Sequence, residues 1–229
     1  LSLYTLICFT ACTSTNKNSN GEFDIELDGI SINYTIKGTG PIMIVGHLNS
    51  GKTGYEMSLK PLEEHFTMVY YSPRGTGKSE SPATIEAYNY ENIIEEVELL
   101  RKHLRAESIW MFGHSDQSEI ALQYALDYPK TTSGLILSGT HYIPSPEEDQ
   151  KAKEEFENER KSQEWFAQIL KDLDYRIKFN SNIDSNGRDL SSAPLSWWCY
   201  DSTTVQKVIP ISREINKTGR RRPINGDYP

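Results

Sequence analysis

The sequence predicts an α/β fold whose mostly parallel sheet is entered through an antiparallel hairpin, and three observations predict it. Residues 23–27 and 30–36 alternate apolar and polar positions on either side of Asp28-Gly29, and a two-residue Asp-Gly link between such runs is a hairpin signal. Unbroken apolar runs then recur, Ile42-Met43-Ile44-Val45 first among them, as strands covered on both faces require. Between these runs lie segments with a one-sided helical stripe, so strands and helices alternate along the chain.

In chain order, Gly38-Thr39-Gly40-Pro41 turns the hairpin into the 42–45 strand, residues 59–65 read as a short helix, and 66–71 as the next strand. Residues 91–105 carry Ile93, Ile94, Val97, Leu100 and Leu104 on one face, the stripe of an amphipathic helix. Residues 108–112 return as a strand. Residues 118–128 form a helix with Ile120, Ala121, Tyr124 and Ala125 on one face and Pro129 beyond its end, and 134–138 are a further buried strand. The composition changes from Tyr142. Residues 147–173 are charged and helical, 181–194 are loop-like around Gly187, and Leu195-Ser196-Trp197-Trp198 is an aromatic cluster. This half reads as a helical insertion. The last stretch, from Arg220 to Pro229, shows neither strand nor helix periodicity.

Composition narrows the function. The 229 residues carry 24 Lys and Arg against 32 Asp and Glu, a net charge of −8, which argues against a nucleic-acid-binding surface. The three cysteines have no paired spacing, so neither a disulfide scaffold nor a zinc cage is expected. No apolar run has the length of a membrane-spanning helix. The opening stretch to Cys12 is apolar and short, like the hydrophobic part of an export signal. Phe9-Thr10-Ala11-Cys12 resembles a bacterial lipobox with Cys12 as the lipidated residue, although Phe9 stands where leucine is usual. Residues 13–21 then read as a polar tether. The expectation is an exported cell-envelope lipoprotein, and an ordinary first strand or cleaved leader is the alternative.

The sharpest chemical feature is Gly113-His114-Ser115-Asp116-Gln117, between the 108–112 strand and the following helix. A serine in a tight strand-to-helix turn presents its hydroxyl above the sheet edge, and the helix N-terminus beneath it favours an oxyanion. The usual motif ends in glycine, because a side chain at that place crowds the turn; here Gln117 occupies it. Three collinear stretches over about residues 30–141 resemble the α/β-hydrolase family. Tyr71-Ser72-Pro73-Arg74-Gly75-Thr76-Gly77-Lys78-Ser79 is similar to the family's D-x-R-G-x-G-x-S loop, with Ser72 in place of the acid. Gly113 to Gln117, with Ala121-Leu122-Gln123-Tyr124-Ala125 and Tyr128-Pro129, resembles the nucleophile elbow and its helix. Gly134-Leu135-Ile136-Leu137-Ser138-Gly139-Thr140 resembles the strand before the family's lid. Leu100-Arg101-Lys102-His103-Leu104 is similar to the proline-iminopeptidase-like branch.

The resemblance implies an α/β-hydrolase-like sheet with a helical cap, and an acyl-enzyme mechanism on an ester, amide or peptide with Ser115 as nucleophile. It implies that the Asp116 N–H forms half of the oxyanion hole. The other half is expected from Gly46-His47-Leu48-Asn49, where the family's His-Gly order is reversed: Leu48 by register, or else Asn49. His47 either shapes this loop or is an ordinary polar loop residue. The expected organisation is a signal and tether over 1–21, the N-terminal part of the core over 22–141 and the cap region over 142–229. Trp165, Trp197, Trp198 and Tyr200 either line a pocket or pack the cap. No metal or organic cofactor is implied; the expected partner is a small-molecule or peptide substrate, and the membrane is met only through the lipid anchor.

A serine needs a base and an orienting acid, which the family places later in the chain. His65 and His103 read as structural, His114 adjoins the serine, and no histidine follows His141. The expectation is that acid and base lie in sequence beyond this chain, whose C-terminal part is missing; the alternative is a non-catalytic hydrolase-fold binding protein. A second functional class competes. Gly46-His47-Leu48-Asn49-Ser50-Gly51-Lys52-Thr53 fits the phosphate-loop pattern G-x-x-x-x-G-K-[ST] directly after a strand. Against it, no later strand ends in a clear magnesium-binding aspartate.

Overall fold

Strands β1 (Gly21–Leu27) and β2 (Ile30–Gly38) close across Asp28-Gly29 with Leu27 opposite Ile30. Both turn residues have positive φ, 48° and 74°, the backbone that a two-residue hairpin of type I′ requires. The computed structural model describes residues 19–140, 145–197, 199 and 201–218. The expected lipidation site Cys12, and His141, Trp198, Tyr200 and the 220–229 stretch, lie outside the described residues. Along β1 the side chains of Phe23, Ile25 and Leu27 turn inward while Glu22, Asp24 and Glu26 face solvent, as one-sided strands do.

The remaining strands are β3 (Ile42–Val45), β4 (Thr67–Tyr71), β5 (Ile109–His114) and β6 (Thr132–Ser138). The sheet order is β1-β2-β4-β3-β5-β6. β2 pairs antiparallel with β4, whereas β3 pairs parallel with β4 and β5, and β5 with β6. The central strands are covered on both sides. Ile44, Val69, Tyr71, Ile109 and Met111 face one core, while Met43, Val45, Met68, Tyr70 and Phe112 face the other. Two-sided burial explains why these strands are unbroken apolar runs.

Helices α2 (Tyr90–His103) and α3 (Gln117–Asp127) cover the first face, and α1 (Thr53–Ser58) the second. The Asn89 side chain accepts the Asn92 N–H at 2.8 Å to cap α2, whose Ile93, Ile94, Val97 and Leu100 are buried as their spacing predicts. The helix expected at 59–65 is a 3₁₀ segment, Lys60–Glu64.

The segment expected to be helical over 147–173 is so, as two helices, α4 (Pro146–Arg160) and α5 (Glu164–Phe179). Gln163 is extended at the break, which lets Phe156 and Phe166 meet edge-to-face at 6.2 Å while the Arg160 guanidinium sits 3.7 Å over the Phe156 ring. Ser145 and Glu148 form a reciprocal capping box with Pro146 in the first turn. The acidic side of α4 faces solvent. Helices α6 (Ala193–Trp197) and α7 (Ser202–Thr218) follow, and α7 packs on α1 so closely that a Cβ on Gly54 would lie 3.0 Å from Ile215. Among the described residues no helix is long and apolar enough to cross a membrane.

Candidate active site

Ser115 sits between the end of β5 and the first residue of α3 with φ at 54°, a left-handed conformation costly for a residue with a Cβ. Its neighbours hold it there. The Ser115 N–H donates to Ser138 O on β6 at 3.2 Å, and the Ser115 carbonyl accepts the Ser118 N–H at 2.9 Å and the Ser118 hydroxyl. A Cβ on Gly113 would lie 2.6 Å from the Ser118 Cα, so the turn closes only over glycine there. Gln117 meets the crowding expected of it by pointing inward: it is fully buried and close to the Tyr71 hydroxyl, and neither group makes a well-formed hydrogen bond among the described residues. Ser115 Oγ is half-buried and makes no hydrogen bond among the described residues.

The loop after β3 faces this turn. The Asn49 amide donates from Nδ2 to Asp116 Oδ2 at 3.2 Å, and Asp116 Oδ1 accepts the Gln117 N–H at 2.9 Å, so one carboxylate caps α3 and ties the two loops together. The Asn49 N–H donates to His47 Nδ1 at 3.1 Å and is thereby committed. The N–H groups of Leu48 and Asp116 make no hydrogen bond among the described residues. Leu48 is fully buried by its side chain.

The same contacts give the phosphate-loop pattern another role. A phosphate cradle needs free backbone N–H groups and a free lysine. Here the Asn49 and Ser50 N–H groups donate to His47 Nδ1, Gly51 N–H to His47 O at 3.0 Å, and Lys52 N–H to Ser72 Oγ at 3.3 Å. Lys52 Nζ is buried against Thr35 Oγ1 at 2.5 Å and Glu22 Oε1 at 2.9 Å, on strands β2 and β1. The amides and the charge that a nucleotide would use are already satisfied by protein, which corrects the competing expectation of nucleotide binding at 46–53.

Ser72, standing where the family's loop has an acid, supports this arrangement from below. A Cβ on Gly51 would lie 2.7 Å, and one on Gly77 2.5 Å, from Ser72 Oγ. Ser79 Oγ donates to Ser72 O at 2.5 Å and accepts the Asn33 N–H at 2.8 Å. The buried Arg74 guanidinium pairs with buried Glu96 on α2 and donates to Ala87 O at 3.0 Å. Sequence reading passed over Glu96; the signal was a carboxylate set inside the apolar stripe of Ile93, Ile94 and Val97.

A cleft of about 270 Å³ opens beside the serine turn, lined by His47, Gly54, Tyr55, His114 and, from α7, Val208, Ile211 and Ile215. Tyr55 was also missed. Its hydroxyl bonds His114 Nδ1 at 3.1 Å and its ring meets Phe112 edge-to-face at 5.9 Å. Burial, reinforced by the Asp116 carboxylate, pushes the Tyr55 phenol well up, so it stays protonated. Burial pushes the His47 imidazole down; Asp116 opposes this and His114 adds to it. Trp165 and Trp197 pack instead among the helices, Trp165 on Phe166 at 5.5 Å and Trp197 on Phe156 at 4.6 Å. His103 Nε2 bonds the Tyr34 hydroxyl at 3.1 Å, and His65 caps the 3₁₀ segment. Among the described residues no group of three His, Cys, Asp or Glu side chains could hold a metal ion.

Comparison with known proteins agrees with this architecture. The family model described as alpha/beta hydrolase fold matches residues 42–186, more than half of the chain. The AB hydrolase superfamily protein YclE of Bacillus subtilis is 25% identical over 168 residues, covering 73% of this chain and 55% of that protein. A proline iminopeptidase of Arabidopsis thaliana is 33% identical over 86 residues, 38% of this chain and 23% of that one. The chain thus spans about half or less of the length of these relatives. An alpha/beta fold family hydrolase structure from Bacillus anthracis superposes with a TM-score of 0.59 at 19% identity, covering 84% of this chain and 68% of that one. With the β1–β2 hairpin, the parallel β3–β6 sheet and the strained serine turn in the positions that fold requires, the chain belongs to the α/β-hydrolase fold family.

Proposed function

We propose that this chain carries the nucleophile of a serine hydrolase acting on an ester, amide or peptide, with Ser115 forming the acyl-enzyme. The observation that supports it most is the left-handed backbone of Ser115 at the β5-to-α3 turn, since strain of this kind persists where a site needs it. Ser115 Oγ attacks the acyl carbon, and the oxyanion is received by the Leu48 and Asp116 N–H groups, which have no other acceptor among the described residues. The Asn49 N–H is not part of the hole, because His47 holds it. Collapse of the oxyanion breaks the bond to the alcohol or amine, which leaves with the Ser115 proton carried by the base; water then attacks the acyl-enzyme, releasing the acid and restoring the Ser115 hydroxyl.

We assign the base and its acid to residues outside those described, because the four described histidines are placed otherwise: His47 by its loop, His65 at the end of the 3₁₀ segment, His103 by Tyr34 and His114 by Tyr55. Helices α4–α7 serve as the cap, and the face of α7 bearing Val208, Ile211 and Ile215 helps form the cleft that takes an apolar group of the substrate. An apolar cavity of roughly 150 Å³ already accepts benzene, so the larger cleft here suits a short acyl chain or a small ring. Membrane attachment through Cys12 belongs to the same proposal; Cys12→Ser should then move the full-length protein from the membrane to the soluble fraction.

A fluorophosphonate probe tests the nucleophile. The full-length protein should be labelled on Ser115, and Ser115→Ala should abolish labelling. A correctly folded full-length protein that is never labelled would instead be a hydrolase-fold binding protein.

A further inference from the structure

The oxyanion loop is held by a side chain whose chemistry is unusual for the task. His47 Nδ1 lies 3.1 Å from the Asn49 nitrogen and 3.3 Å from the Ser50 nitrogen, and both of those groups are donors. A ring nitrogen that accepts two N–H bonds carries no proton, so the imidazole is neutral with its hydrogen on Nε2. The turn is completed by the Gly51 N–H donating to His47 O at 3.0 Å, with Gly51 at φ 69°. This is the geometry of an Asx turn, with an imidazole nitrogen where an Asn or Asp oxygen would normally accept. By taking the Asn49 and Ser50 amides, His47 leaves the Leu48 N–H as the one of these three groups without an acceptor among the described residues.

We propose that His47 is a positioning residue whose neutral Nδ1 folds residues 48–50 into the conformation that turns the Leu48 N–H toward Ser115, and whose protonation undoes that turn. The link to catalysis rests on the serine-hydrolase reading; the hold on the loop does not. The groups facing the ring are the Tyr55 phenol on α1, with centroids 5.7 Å apart, His114 at the end of β5, and Asp116 at the start of α3. Burial lowers the affinity of the ring for a proton, Asp116 partly restores it, and His114 lowers it again. The ring is therefore neutral at pH 7. A protonated ring would point an N–H at two N–H donors, so the turn should open as pH falls below the ordinary histidine range. Because the folded-state value is depressed, this contribution to stability is complete above about pH 6.5 and is lost as pH falls from there toward the lower folded value.

Asparagine places Oδ1 where histidine places Nδ1 and does not titrate, whereas glutamine reaches to the position of Nε2. In the full-length protein, NMR of the His47 ring should show Nδ1 unprotonated at pH 7, and amide exchange at Asn49 and Ser50 should be fast in His47→Ala and wild-type-like in His47→Asn. With p-nitrophenyl butyrate as substrate, His47→Ala and His47→Gln should each lose roughly 10- to 100-fold in kcat with KM little changed, part of what deleting an oxyanion donor outright costs. His47→Asn should keep wild-type kcat and show an acid limb one proton less steep than that of the wild type. A proton on Nδ1 at pH 7, or a His47→Asn protein that behaves like His47→Ala, overturns the proposal. If the wild type hydrolyses no ester but the tautomer and exchange are as stated, the hydrolase reading fails while the role of His47 in the loop stands.

Discussion

Replacing Ser115 by glycine should stabilise the protein even as it removes the nucleophile. At φ 54° a residue with a Cβ pays about 1–2 kcal/mol relative to the right-handed region, and glycine pays almost none. Glycine in turn gains freedom in the unfolded chain, worth about 0.5–1 kcal/mol against folding. The hydroxyl makes no hydrogen bond among the described residues, so its loss adds nothing. The net expectation is a gain of about 0.5–1 kcal/mol, or roughly 1–4 °C in Tm for a domain of this size. Ser115→Ala is the control, since alanine keeps the Cβ and with it the strain; its stability should match the wild type. Arg105, exposed at φ 55° beyond α2, offers the same relief away from the site, and Arg105→Gly should gain a similar amount without affecting probe labelling. Equilibrium urea unfolding of the four proteins provides the comparison. A Ser115→Gly protein no more stable than Ser115→Ala would show that the turn stores no strain, and the main support for the nucleophile would go with it.

Other expectations follow from buried charge. Glu96→Gln leaves the Arg74 guanidinium buried without its carboxylate and should cost about 3–5 kcal/mol in chemical denaturation; a loss below 1 kcal/mol would mean that water or another group replaces the pair. Glu22 is held at about 2 by its hydrogen bonds to Lys78 and Lys52. Its contribution is present above the ordinary carboxylate range near 4.5 and is lost as pH falls from there toward 2. Stability measured from pH 5 to pH 2 should therefore fall less steeply in Glu22→Gln, and an unchanged slope would refute the pairing; Glu22 is exposed enough that the effect should be modest. Gln117→Met removes a buried amide that makes no well-formed hydrogen bond among the described residues at similar volume, and should raise stability by about 1 kcal/mol. A clear loss would reveal a buried partner for that amide.

The parts of the molecule that were legible in the sequence are those built from local pattern. The Asp28-Gly29 hairpin, the apolar strands at β3 to β6, the α2 stripe and the strand-turn-helix around Ser115 each depend on residues within a few positions of one another, where period and turn chemistry act directly. The two-helix break at Gln163 was not legible, because no Gly or Pro marks it and it follows from the packing of Phe156 on Phe166.

The site divides in the same way. Local sequence was enough to put a serine on a strand-to-helix turn, and the family resemblance offered Asp116 with Leu48 or Asn49 as donors. Tertiary structure commits the Asn49 N–H to His47. Asn49 and Asp116 are 67 positions apart and meet only because β3 and β5 are neighbours in the sheet. Lys52 matches a phosphate-loop lysine by spacing, yet Thr35 and Glu22, 17 and 30 positions before it, take its ammonium when β1 and β2 fold beside it. A sequence motif specifies which groups are near one another along the chain. Whether an N–H or a charge is still available for chemistry depends on which distant groups the sheet order brings to it first.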